Sequence, residues 1–139
     1  MARRAVVDTG PLVAIARRRE QGHAACVDAL KQLRSPLVTC WPVLTEAARL
    51  LRGEPGAMRV IGDLVRCGAV EIVELDEAAL HWIVGFLERY ASAGAQLADA
   101  ALVYIAETEG IDVVFTLDRR DFSIYRSTDG RALSLIPEA

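Results

Sequence analysis

An α/β domain with a central, mainly parallel sheet is the fold class this sequence predicts, and three observations predict it. Short apolar runs recur at Val6-Val7, Leu37–Cys40, Val70–Leu75, Val113–Leu117 and Leu133–Ile136. Most are separated by segments with apolar residues at helical spacing, and strands joined through helices run parallel with both sheet faces covered. The third observation is size: 139 residues, 53% hydrophobic, suit one domain with a full core, so 1–139 reads as a single unit.

Each element has its own signal. Val6 and Val7 end a strand at the Asp8-Thr9-Gly10-Pro11 turn, and Leu12, Val13, Ile15 and Ala16 begin a helix. His23 to Leu33 carries apolar residues at helical spacing, and Leu37 to Cys40, after Pro36, is a second strand. Pro42 suits the first turn of a helix that runs through Leu51 and stops at Gly53. Ala57 to Cys67 is a fourth helix ending at Gly68, and Val70 to Leu75 is a strand leading to Asp76, an N-cap for a helix to about Tyr90. After a break at Ser92-Ala93-Gly94, Leu97 to Glu107 is helical and stops at Gly110. Val113 to Leu117 is a buried strand, and Leu133 to Ile136 is a last, edge strand.

Composition excludes several classes. High apolar content and a net charge of -3 argue against disorder, and no apolar run approaches the ~20 residues of a membrane-spanning helix. The first residues lack a signal-peptide core, so the expected location is cytoplasmic, with no membrane partner. Cys26, Cys40 and Cys67 show no metal-ligand spacing and read as buried small hydrophobes. Neither GxGxxG nor GxxxxGK[ST] occurs, and His23 and His81 lie in no motif. Setting four acids aside in one pocket leaves 15 acidic residues against 16 basic, so an acidic balance does not exclude a nucleic-acid partner.

Ligands of open α/β sheets collect at the carboxyl ends of the strands, which directs attention to the acids there. Asp8 closes the first strand and Asp118 the fourth; their ordinary reading is turn or cap residue, with Asp121 imitating a capping box after Asp118. Asp99 is less ordinary, because it interrupts Leu97 to Ala106, a segment too apolar all round for a surface helix. An ionised, unpaired carboxylate there costs several kcal/mol, so it must be protonated, paired or metal-bound. Glu46 lies by helical spacing beside Val43 and Leu50 and reads as pointing inward; its ordinary alternative is an i, i+3 pair with Arg49. Four converging carboxylates without histidine or thiolate select Mg²⁺ or Mn²⁺.

Val6-Val7-Asp8-Thr9, Leu44-Thr45-Glu46, Leu97-Ala98-Asp99-Ala100 and Thr116-Leu117-Asp118-Arg119-Arg120-Asp121-Phe122 resemble, in order and spacing, the motifs of PIN-domain ribonucleases, a three-layer α/β/α sandwich. Length and the final motif resemble the VapC toxins of type II toxin-antitoxin pairs. The resemblance implies a Mg²⁺- or Mn²⁺-dependent endoribonuclease, with Asp8, Glu46, Asp99 and Asp118 as a catalytic, metal-binding quartet. It implies auxiliary roles for Thr116, which holds the site together, for Asp121 and for Thr9, and products with a 5′-phosphate and a 3′-hydroxyl. Where related toxins often carry a further acid shortly before the helix aspartate, this chain has Gln96, which leaves the number of ions open.

The implied partners are RNA, a cognate antitoxin and a second copy of the chain in a homodimer. Arg119 and Arg120, beside Asp118, are candidate RNA contacts, and Arg17, with Arg18 and Arg19, is either another or a solvated helix end. Trp41 and Trp82 are expected in the core rather than stacked on bases. Two other classes compete: a catalytically silent PIN-fold binding module, which predicts a broken quartet, and a receiver-like phosphoacceptor domain, which wants a lysine after a late strand. The sole lysine, Lys31, lies in an early helix.

Overall fold

A computed structural model describes residues 2–138. Its elements in chain order are β1 (Val6–Val7), α1 (Thr9–Ala16), α2 (His23–Gln32), β2 (Leu37–Thr39), α3 (Trp41–Leu50), α4 (Ala57–Arg66) and β3 (Val70–Ile72). There follow α5 (Glu77–Arg89), α6 (Leu97–Glu109), β4 (Val113–Phe115), α7 (Arg119–Ile124) and β5 (Ser134–Ile136). The five strands form one sheet in the order β3-β2-β1-β4-β5, and every pairing is parallel. The α/β class and the parallel sheet flanked by helices therefore stand, with β5 at an edge as expected.

β1 lies at the centre, wholly apolar and buried, and α6 packs against it with Ala100, Ala101, Leu102, Val103, Ile105 and Ala106 buried. α5 packs on α6 through Ile83 and Phe86, and α1 packs against α2, α3 and α4. The ends of these helices follow local chemistry. Asp76 caps α5 by accepting the Ala79 amide at 3.0 Å, and α6 stops at Gly110, whose φ of +69° is left-handed.

Strand order reverses on either side of β1, so the switch point lies between β1 and β4. Their register pairs Val6 with Val114 and Val7 with Phe115, which sets Asp8 beside Thr116 at the carboxyl edge. The Asp8 amide donates to Phe115 O at 2.9 Å.

Several expectations are corrected. The strands are shorter than their apolar runs: β3 stops at Ile72 and β4 at Phe115. The chain turns after Thr116 because the Thr116 hydroxyl takes up the Asp118 amide. α7 spans only six residues, too few for a periodic pattern to reveal it. Cys26 and Cys40 are buried, but Cys67 is exposed at the end of α4. Trp82 packs against the core, stacked on Phe86, whereas Trp41 is 59% exposed at the start of α3. Among the described residues no helix is long and apolar enough to cross a membrane.

Candidate active site

β1 and β4 carry two acids to one edge of the sheet, and α6 and α7 bring two more. Asp8 is 8% exposed, and Thr116, wholly buried, donates its hydroxyl to Asp8 Oδ2 at 2.8 Å. The same hydroxyl accepts the Asp118 amide at 2.9 Å, so a single side chain ties the two strand ends together. Asp118 Oδ1 accepts the Asp121 amide at 3.1 Å, which makes Asp118 the N-cap of α7. Asp8 stands at the N-cap position of α1 but makes no side-chain cap bond there.

Asp99 lies in the first turn of α6, where negative charge suits the helix dipole. Its Oδ2 accepts the Tyr125 hydroxyl at 2.8 Å and the Gln96 amide at 3.5 Å. Asp8, Asp99 and Asp118 thus share a pattern. Each has one oxygen held by a protein donor: the Thr116 hydroxyl on Asp8, the Tyr125 hydroxyl on Asp99 and the Asp121 amide on Asp118. No described side-chain N or O atom is both buried and unpartnered. None of the four aspartates forms a salt bridge with a described basic residue.

Electrostatics record this crowding. Burial pushes the Asp8 carboxyl up to about 6; the Thr9 amide and the Thr116 hydroxyl oppose the rise, and the charges of Asp99 and Asp118 reinforce it. Asp99 is raised by burial, against its bonds from Tyr125 and Gln96, with Asp118 and Asp121 adding repulsion. Asp121 is raised by burial and then by Asp118. Cys40, following β2, is pushed up to about 11 by burial, with the charge of Asp8 contributing.

Glu46 is paired within its own helix. It lies 36% exposed by side chain on α3, where Arg49 grips it through Nη2–Oε1 at 2.6 Å and Nε–Oε2 at 3.1 Å. That bond holds its carboxyl below the usual range. The inward orientation expected from spacing is thus corrected to the helix-face pair, because α3 buries Val43, Leu44 and Ala47 and turns Glu46 toward its rim. Among the described residues, no set of three or more His, Cys, Asp or Glu side chains is grouped as a metal site. The donor chemistry nevertheless suits a hard cation, because Asp8, Asp99, Asp118 and Asp121 offer carboxylate oxygens alone and form no salt bridge with a described basic residue.

The other singled-out residues have defined places. Thr9 is buried and donates to Val43 O at 3.3 Å, tying α1 to α3. Arg17 bonds Leu50 O at 2.6 Å and is paired with Glu54, which occupies it away from the acids. Arg119 donates to Pro137 O at 2.6 Å, while Arg120 is exposed and lies near Asp121. Tyr125 was missed by sequence reasoning. Its only signal was a tyrosine four residues after Asp121, and nothing in the spacing showed that it meets Asp99.

A parallel sheet flanked by helices, with Asp8 and Asp118 at its switch point and a buried threonine joining the two strand ends, is the architecture of a PIN-like sandwich. The chain belongs to the PIN-domain family, whose model matches residues 5–126. It is homologous to a VapC-type ribonuclease: Ribonuclease VapC26 of Mycobacterium tuberculosis is 28% identical over 135 residues, covering 95% of this chain and 99% of that protein. Two solved structures share the fold. Mycobacterium tuberculosis VapC20, described as a sarcin-ricin loop cleaving toxin, has a TM-score of 0.73 at 18% identity, over 84% of this chain and 91% of that one. A toxin-antitoxin complex from Klebsiella pneumoniae gives 0.68 at 17% identity, over 86% and 91%.

Proposed function

We propose that the protein is a Mg²⁺- or Mn²⁺-dependent endoribonuclease and the toxin of a toxin-antitoxin pair. The observation that carries this reading is the shared pattern of Asp8, Asp99 and Asp118, each with one oxygen held by a protein donor and none in a salt bridge with a described basic residue. Such an arrangement keeps carboxylates oriented while leaving their charge uncompensated, which suits a cation and disfavours a purely structural role.

Asp8, Asp99 and Asp118 would hold the cation, with Asp121 beside them; Glu46 would join by turning away from Arg49. A bound divalent cation supplies charge neutralisation at a phosphodiester and acidifies water at neutral pH. The chain's own residues do the rest. Thr116 holds Asp8 in one rotamer and fixes the turn that presents Asp118. Arg120, exposed near Asp121, would meet a phosphate of the RNA, and Arg119 would do so on leaving Pro137. The described activity of VapC20 and the complex from Klebsiella support RNA as substrate and an antitoxin as partner. Exposed Leu50, Met58 and Val60 near α4, and Leu80 and Val84 on α5, offer apolar surface for an antitoxin or a second copy.

The grip of Arg49 on Glu46 favours the second reading, a non-catalytic PIN-fold binding module. Cleavage of total RNA separates the two: wild type with Mg²⁺ or Mn²⁺ should cut, and both EDTA and Asp99→Asn, purified identically, should abolish cutting. Equal cutting by wild type and Asp99→Asn would reject the catalytic reading.

A further inference from the structure

We infer that Tyr125 is a positioning residue for the acid site, holding Asp99 Oδ2 so that Oδ1 is the oxygen left available to a cation; the inference rests on the reading above. Tyr125 is wholly buried and its hydroxyl lies 2.8 Å from Asp99 Oδ2. Its ring has little freedom, because Phe86, Tyr90 and Phe122 meet it edge-on with centroids at 5.0, 5.1 and 5.2 Å. The weaker Gln96 contact at 3.5 Å falls on the same oxygen. Without the phenol, that long amide contact alone would define the rotamer of Asp99.

Tyr125 also lies at the end of α7, the helix that Asp118 caps and whose first turn holds Asp121. One short segment therefore carries two of the acids and a direct bond to the third. Fixing Tyr125 in the α5 aromatic cluster fixes the spacing between the α6 acid and the strand-end acid. Ligand-orienting hydrogen bonds of this kind matter because a carboxylate free to rotate loses part of its affinity to ordering.

Tyr90 supplies an internal control. Its hydroxyl accepts the Arg126 amide at 3.0 Å, and its ring belongs to the same cluster, but it makes no bond to an acid. A role of Tyr125 in packing alone would make the two hydroxyls equivalent.

The test compares Tyr125→Phe and Tyr90→Phe with wild type in the intact, RNA-free protein, measuring Mn²⁺ affinity by calorimetry and electron paramagnetic resonance, with thermal unfolding in EDTA alongside. Phenylalanine keeps every ring contact. Tyr125→Phe should bind Mn²⁺ about tenfold more weakly and Tyr90→Phe within about twofold of wild type. Cleavage by Tyr125→Phe at fixed, subsaturating Mn²⁺ should fall in kcat with KM for RNA unchanged. Wild-type affinity in Tyr125→Phe, with wild type binding Mn²⁺ and cutting RNA, would overturn the inference alone. Equal weakening in both variants, following their losses of unfolding temperature, would overturn it in favour of packing. No Mn²⁺ binding by wild type would remove the ribonuclease reading and this inference together.

Discussion

Thr116 and Asp8, 108 residues apart in sequence, meet through a buried hydroxyl–carboxylate hydrogen bond of 2.8 Å, and the same hydroxyl accepts the Asp118 amide. One donor and one acceptor are needed there, and a hydroxyl supplies both. Thr116→Ser should preserve both bonds. Thr116→Val keeps the shape but leaves a partner unpaired on each side, so urea unfolding should show a loss of about 1–3 kcal/mol for valine and well under half of that for serine. Equal losses would mean that the methyl group, not the hydroxyl, holds the site.

Asp8 is stabilised by protons rather than by the fold. Its folded pKa of about 6 lies above the ordinary 3.8, so the folded state binds the proton more tightly than the unfolded state does. Its contribution to stability is therefore fully present below about 3.8, is lost as pH rises toward 6, and changes no further above that. The loss is on the order of 2–3 kcal/mol for a group this buried. Asp8→Asn removes the charge while its amide oxygen can still accept the Thr116 hydroxyl. In EDTA the variant should be more stable than wild type at pH 7.5, and the gap should close toward pH 4. A gap that is constant, or that widens on acidification, would contradict the burial argument.

Much of this was legible in the sequence. Apolar runs and helix stops located all five strands and six of the seven helices, because burial on both faces leaves continuous apolar strands and glycine punctuates helix ends. Asp8 and Asp118 were legible because strand ends are where such sheets bind ligands, and Asp99 because a charge in an apolar helix demands an explanation. Glu46 was misread: periodicity places a residue on a helix but not the rim of its buried face, and Arg49 decides the rest. Trp41, expected in the core from its residue type, is exposed at the start of α3, because residue type alone does not say which side of a helix faces the core. The Tyr125–Asp99 bond joins residues 26 apart through a tertiary turn, and no local pattern encodes that.

Glu46 and Arg49 make a second test of the site. If Glu46 serves the cation, Arg49 competes with it, and the exposed pair contributes little to folding. Arg49→Ala should leave the unfolding temperature nearly unchanged and sustain or raise cleavage at low Mn²⁺. Glu46→Gln should keep the fold and lower cleavage by about tenfold or more. A Glu46→Gln variant with wild-type cleavage would confine the site to the aspartates on β1, α6 and α7.

Cation binding should itself stabilise the fold, and in a way that depends on pH. Asp8 is pushed up to about 6, and Asp99 and Asp121 are raised by burial, so protons compete with a cation for these acids more strongly than for ordinary carboxylates as pH falls. A ligand that binds only the folded state at about 100 times its Kd adds roughly 2.7 kcal/mol of stability. Mn²⁺ should therefore raise the thermal unfolding temperature of wild type clearly at pH 7.5 and much less at pH 5. In Asp99→Asn, where one free carboxylate oxygen is lost, the rise at pH 7.5 should shrink, and Ca²⁺ at equal concentration controls for ionic strength and weaker oxygen ligation. A shift of equal size at both pH values, or one retained in Asp99→Asn, would place the bound ion elsewhere on the acidic surface.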